Sequence, residues 1–173
     1  LQAKGVEVVE NVCAAEARHL NAGFFLTMSE NRPLVTLKIA SSLDGRTATH
    51  DGHSQWITGE GARARGHLFR ATHDAIMVGS ATAIVDDPEL TCRLPGLGAR
   101  SPIRIVADGR LRLPLTARRV RDAKKGPLWL LTLPGGDANR RKAFEECGAV
   151  LIDVEPGEDG VMSMRDALGA LSE

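Results

Sequence analysis

Four short apolar runs constrain this chain more than anything else in it: residues 75–78 (AIMV), 103–107 (IRIVA), 128–132 (LWLLT) and 150–154 (VLIDV). Each is too short for a helix, rich in β-branched or aromatic residues, and flanked by glycine, proline or aspartate. Such runs read as strands, those at 103–107 and 128–132 as buried ones. Helical periodicity lies around them: a helix at 59–71, a short one at 80–85, one from a cap at Asp137 to Cys147, and one at 163–171. A parallel strand pair needs a crossover, and a helix is the usual one, so the alternation predicts an α/β layer fold with a mainly parallel sheet. A final helix in such a fold returns the chain to a strand, so a further edge strand is expected beyond Glu173.

Upstream the pattern is looser. Residues 6–9 read as a short strand after Gly5, and residues 13–21 as a helix capped by Asn11, with Ala14, Ala17 and Leu20 on one face. Residues 28–33 are polar, end in proline and read as a linker, and residues 34–40 read as a strand. Thr58 is expected to cap the helix at 59–71, with Glu60 in the first turn, where a carboxylate opposes the positive end of the helix dipole.

At 173 residues, 43% of them apolar, the chain holds one ordinary domain and an appendage. Lysine plus arginine equals aspartate plus glutamate at 22 each, so no global field recruits nucleic acid or an anionic membrane. The expected partner is a small molecule recognised locally. Cys13, Cys92 and Cys147 are odd in number and far apart, which fits neither a disulfide framework nor a zinc site. His50 and His53 flank an Asp-Gly turn with no further ligand nearby, so no metal is inferred. Zinc-deaminase, G-x-G-x-x-G and Walker motifs are all absent. The apolar runs fall short of the roughly 18 residues of a membrane span, and no signal-peptide pattern opens the chain, so a cytoplasmic location is expected. Because it begins at Leu1, the chain reads as processed or excised.

Chemistry-bearing residues gather in the first half. Ala40, Ser41, Ser42, Asp44 and Gly45 follow the expected strand at 34–40, where ligands collect beyond carboxyl strand ends. Lys38 interrupts that strand and is either an edge lysine facing water or a group near an anionic or hydroxylated ligand. Ser54, Gln55 and Trp56 offer a hydroxyl, an amide and an aromatic face just before a helix start. Arg63, Arg65 and Arg70 lie on that helix and Arg93 in a later loop; arginines that converge clamp a phosphate through paired hydrogen bonds. Gly79, Ser80, Thr82, Asp86 and Asp87 follow the strand at 75–78, and Gly135-Gly136 follows the one at 128–132. Each signal alone has an ordinary structural explanation.

Taken in order, RPLVTLKIASSLDGRTA (32–48), SQWIT (54–58) and ATHDAIMVGSATAIVDDPELTCR (71–93) resemble the reductase domain of the bifunctional riboflavin-biosynthesis deaminase/reductase. The likeness runs from about residue 32 to 110, and residues 5–25 resemble the tail of the deaminase domain that precedes the reductase in that family. The resemblance implies a three-layer αβα, dihydrofolate-reductase-like fold, with residues 1–31 a deaminase remnant and linker, and 32–173 a reductase domain lacking its C-terminal part. It implies NADPH-dependent reduction of the ribose of 5-amino-6-(5-phosphoribosylamino)uracil to the ribityl form. Ala40, Trp56, Thr82, Asp86 and, where relatives often carry serine, Gly109 would contact NADPH. Ser54, Arg70, Leu90 and Arg93 would hold the substrate, and Lys38 would polarise the sugar or assist proton transfer. A homo-oligomer is expected from the same likeness. The family's Glu-Gly-Gly loop, which adds a substrate-binding glutamate, does not occur before Glu173. The alternatives are a related reductase of another pterin or pyrimidine, and a non-catalytic form of the fold.

Overall fold

Strands β1 (Ala75–Gly79), β2 (Ile103–Ala107), β3 (Leu128–Thr132) and β4 (Val150–Asp153) form at the four apolar runs, in a computed structural model that describes residues 1–172. They make one parallel sheet in the order β1-β2-β3-β4, with Met77, Ile105, Trp129 and Val150 in register across it. Helices α4 (Ser80–Val85), α5 (Arg118–Arg121) and α6 (Ala138–Glu146) lie in the successive crossovers. Parallel strands laid down in one direction through right-handed crossovers place their helices on one face. The core follows that geometry: Ala83, Val120 and Phe144, one from each helix, share a buried cluster with Val106, Leu128 and Leu130. Ile105 and Leu131, which alternate with them, are also buried, as expected for strands packed on both faces.

The chain divides into two units, residues 37–167, which contain this sheet, and residues 1–36 with 168–172. The second unit holds α1 (Ala14–Leu20) and α2 (Ala22–Glu30), neither of which buries a residue. Its Phe24 and Phe25 are exposed and meet edge to face, with ring centroids 5.8 Å apart. Helix α3 (Glu60–Thr72) precedes β1, and α7 (Met164–Ala170) follows β4. Among the described residues, no helix is long and apolar enough to cross a membrane.

Two guanidinium groups are buried in the sheet unit. Arg104 of β2 donates from Nε to the Pro127 carbonyl at 3.3 Å and from Nη2 to the carbonyls of Asp122, at 3.2 Å, and Gly126. Arg119, on α5, donates to the carbonyls of Ala83, at 2.9 Å, and Pro88, at 3.1 Å, and to Asp87 Oδ1 at 3.1 Å. A buried cation is tolerated only with such partners.

Several expectations are corrected. Residues 34–40 form no strand: the segment belongs to no ladder, and Leu34, Val35, Leu37 and Ile39 are exposed. Alternation describes a fit to a pleated, half-buried surface, and without a neighbouring edge it produces no strand. Residues 6–9 likewise lack a ladder. The expected linker at 28–33 is in part α2, which runs to Glu30 and ends at Asn31 in a left-handed conformation, φ 47°. Asn11 does not cap α1, whose first flanking residue is Cys13, and Gly59 stands where Thr58 was expected to cap α3. Asp137 does cap α6, accepting hydrogen bonds from the backbone N–H groups of Asn139, at 2.9 Å, and Arg140, at 3.2 Å. Asp137→Ala is expected to cost about 1 kcal/mol of stability, measured by urea unfolding. A shift indistinguishable from zero would remove the cap from the account.

Candidate functional site

At the carboxyl ends of β2 and β3 a cleft of about 280 Å³ opens between residues 109–111 and residues 132–137. Its first wall is built by a buried acid. Asp108 accepts the Leu113 N–H at 2.7 Å on Oδ2 and the Leu111 N–H at 2.9 Å on its carbonyl, which turns the chain through Leu111 at φ 50°. From α6, Arg140 donates to the Leu111 carbonyl and, at 2.7 Å, to that of Leu113. The Leu133 N–H donates to the Gly109 carbonyl at 3.1 Å, joining the two walls. Gly135 and Gly136, at φ 80° and 76°, lie in the left-handed region that glycine enters without strain, and no atom lies within 4 Å of where a side chain would begin. Arg110 and Arg140 bring positive charge to this cleft, and Asp137 brings the carboxylate that caps α6.

A second constellation joins α3 to the loop after α4. Arg70 Nη1 donates to the Thr91 carbonyl at 3.0 Å and lies 3.3 Å from His67 Nδ1, one helical turn away. The Arg93 backbone N–H donates to the same His67 Nδ1 at 3.1 Å. Burial, then the charges of Arg70 and Arg93, lower the His67 pKa, against a hydrogen bond with the Thr91 backbone that raises it. Arg70 is also lowered, by burial first and then by Arg93. A guanidinium whose charge is disfavoured by a second one beside it marks a local concentration of positive potential. Arg93 spends one nitrogen on Glu89, at 3.2 Å, while Arg70 has no carboxylate partner among the described residues. Leu90, buried at φ 59°, anchors this turn.

The structure therefore brings Arg70, Leu90 and Arg93 together and leaves other expected residues apart. Lys38 is exposed in a segment that forms no strand, and its Cε lies 4.0 Å from where a side chain on Gly66 of α3 would begin. Trp56 is 71% exposed and lies under the Arg63 guanidinium, 4.6 Å from ring centre to Cζ. Thr82 and Asp86 lie one turn apart at α4, with the Asp86 N–H donating to the Thr82 carbonyl at 3.0 Å. Asp86 is exposed, whereas its neighbour Asp87 turns to Arg119. Ser54 is exposed and Ala40 half-buried. Gly109 alone of the expected cofactor residues lines the β2-β3 cleft. A side chain there would meet Leu133 Cγ at 3.3 Å, a contact that a small shift of the leucine relieves. His67, Asp108 and Arg140 were not singled out in the sequence, although the i, i+3 spacing of His67 and Arg70 on a helix was a readable signal.

The model of the RibD C-terminal domain matches residues 33–173. The chain belongs to the RibD C-terminal domain family. It is 36% identical over 176 residues to the riboflavin biosynthesis protein RibD of Bacillus amyloliquefaciens, covering 95% of this chain and 47% of that protein. With RibD of Actinobacillus pleuropneumoniae the identity is 38%, over 100% of this chain and 45% of the relative. Among solved structures, Acinetobacter baumannii RibD superposes at a TM-score of 0.79 with 35% identity, covering 99% of this chain and 45% of that one. A Thermotoga maritima diaminohydroxyphosphoribosylaminopyrimidine deaminase/5-amino-6-(5-phosphoribosylamino)uracil reductase superposes at 0.69 with 30% identity, over 88% and 47%. The chain thus spans a little under half the length of these RibD relatives. Its fold is that of RibD reductase domains, dihydrofolate-reductase-like with a parallel sheet.

Proposed function

We propose that this chain carries the reductase activity named for the Thermotoga relative, converting the ribosyl group of 5-amino-6-(5-phosphoribosylamino)uracil to its ribityl form in riboflavin biosynthesis, with NADPH as reductant. The observation that carries the reading is the Arg70 and Arg93 pair, fixed to one turn through His67 and the Thr91 carbonyl. Two guanidinium groups, one without a carboxylate partner among the described residues, suit a phosphate monoester. Ser54 and Leu90 complete the substrate side in this reading.

The β2-β3 cleft tests whether a dinucleotide fits. About 280 Å³ is enough for one end of such a cofactor, and the open glycine backbone with nearby cations suits a nucleotide carrying phosphate. Gly109 would hold that end, and Ala40, Trp56, Thr82 and Asp86 would meet the remainder. When bound, NADPH supplies a hydride to the imine-like C1 carbon of the ring-opened sugar. The chain's own residues bind and orient: the arginines fix the phosphate end of the sugar, so that its C1 end has one place to lie. Lys38, as a cation near the sugar, would polarise its oxygen or hand over the proton that ring opening needs. A deaminase remnant before residue 32, a homo-oligomer and a cytoplasmic setting belong to the same proposal.

The test is NADPH oxidation, followed by its absorbance, with the ribosylaminouracil phosphate and with dihydrofolate as separate substrates. Turnover of the first alone is expected. Turnover of dihydrofolate alone would move the chain to a different reductase.

A further inference from the structure

His67 lies outside the residues that the family resemblance assigns, yet it is the point where α3 and the turn carrying Arg93 meet. The Arg93 N–H donates to His67 Nδ1, so in the neutral ring that nitrogen carries no proton and the hydrogen sits on Nε2. Arg70 Nη1, 3.3 Å from the same Nδ1, also donates to the Thr91 carbonyl. Imidazole and guanidinium therefore grip three consecutive positions: Thr91 by its carbonyl, Cys92 by being held between, and Arg93 by its amide. Cys92 is buried, and its own N–H donates to Ser101 Oγ at 3.1 Å, which fixes the turn from the far side.

We infer that His67 is a positioning residue for the substrate phosphate: as a neutral acceptor it holds the Arg93 backbone so that the Arg93 and Arg70 guanidinium groups close on one anion. The inference rests on the proposal that these arginines hold the phosphate. Protonation of Nδ1 removes the acceptor and adds a cation beside two others. The groups facing the imidazole are Arg70 on its own helix and Arg93 and Thr91 on the turn, with Cys92 between them and Glu89 paired to Arg93. Since folding depresses the His67 pKa, the neutral form's contribution is complete above the ordinary 6.5 and is lost as pH falls through the lower folded value.

The experiment uses the protein at its full encoded length. His67→Asn keeps an acceptor near the Nδ1 position, and His67→Leu keeps none. His67→Leu is expected to raise KM for the ribosylaminouracil phosphate about tenfold, the effect of one lost hydrogen bond in a site, with kcat within about twofold and NADPH affinity unchanged. His67→Asn is expected to restore KM to within about threefold. The substrate phosphate itself titrates near pH 6, so the pH arm compares proteins: below about pH 6.5, KM should rise more steeply in the wild type than in His67→Asn. If His67→Leu does not fold, this pH comparison decides. A wild-type KM in His67→Leu, equal losses in the two variants, or identical pH profiles would overturn the inference. If Arg93→Ala left KM unchanged and inorganic phosphate did not compete with substrate, the phosphate assignment itself would fall, and the role of His67 with it.

Discussion

Replacing Arg119 by alanine is expected to lower the free energy of unfolding by about 4 kcal/mol. The Arg119 side chain is 0% exposed, and its guanidinium joins elements far apart in sequence: the Ala83 carbonyl of α4, the Pro88 carbonyl, and the Asp87 carboxylate. Asp87 in turn accepts the Arg118 N–H at 3.1 Å, so the pair ties the turn after α4 to the start of α5. Truncation removes the cation, opens a cavity in the buried layer and strips two carbonyls of a donor. Arg119→Met keeps most of the volume without the charge, and is expected to cost about half as much. Burial lowers the Arg119 pKa and the Asp87 charge opposes that shift, which ties the cation to its partner. Asp87→Asn is therefore expected to destabilise as well, since it leaves a buried cation with carbonyl partners alone. Urea unfolding followed by tryptophan fluorescence measures all three. An Arg119→Ala cost below about 1 kcal/mol would show that the pair contributes little to folding.

The second large effect concerns binding. Arg70→Ala is expected to raise KM for the phosphorylated substrate about 100-fold, close to the 2.7 kcal/mol of a lost charge-assisted pair. The guanidinium offers two parallel N–H groups to a phosphate, whereas an ammonium offers a point charge, so Arg70→Lys should recover only about tenfold of this loss. Arg70 also donates to the Thr91 carbonyl, so part of its effect passes through the turn that carries Arg93. Assaying the dephosphorylated substrate separates the two contributions. With no phosphate to hold, Arg70→Ala and wild type should differ by less than about threefold. A KM for the phosphorylated substrate that also stays within threefold would remove Arg70 from the site.

The parallel sheet was legible because its four strands are runs of apolar residues, and in β2 and β3 burial leaves a mark that needs no knowledge of partners. The segment 34–40 carries the alternation of a strand but forms none, because a ladder depends on an edge that only tertiary structure supplies. The end of helix α2 was obscured by the polar run Ser29, Glu30, Asn31 and Arg32 ahead of Pro33, which carries no apolar periodicity. The candidate site residues were singled out by an order of motifs, not by a geometry. Arg119 sits in the stretch TARRVRD, where it looks like one more solvated cation, and only its burial separates it from Arg118 and Arg121. His67 is readable only as a neighbour of Arg70 at i, i+3, because a histidine on a helix carries no sign of what its ring nitrogen accepts.

The strand order also carries a consequence for how the sheet opens. Because the strands follow one another in space as they do in sequence, every pairing is local to a single crossover, and no strand is threaded between two laid down earlier. The inner strands β2 and β3 are the most deeply buried, while β1 alternates exposed with half-buried residues and β4 has both its end residues exposed. Unzipping from either side therefore leaves the middle intact, and amide protons on Val106 and Leu130 should be among the last to exchange with solvent.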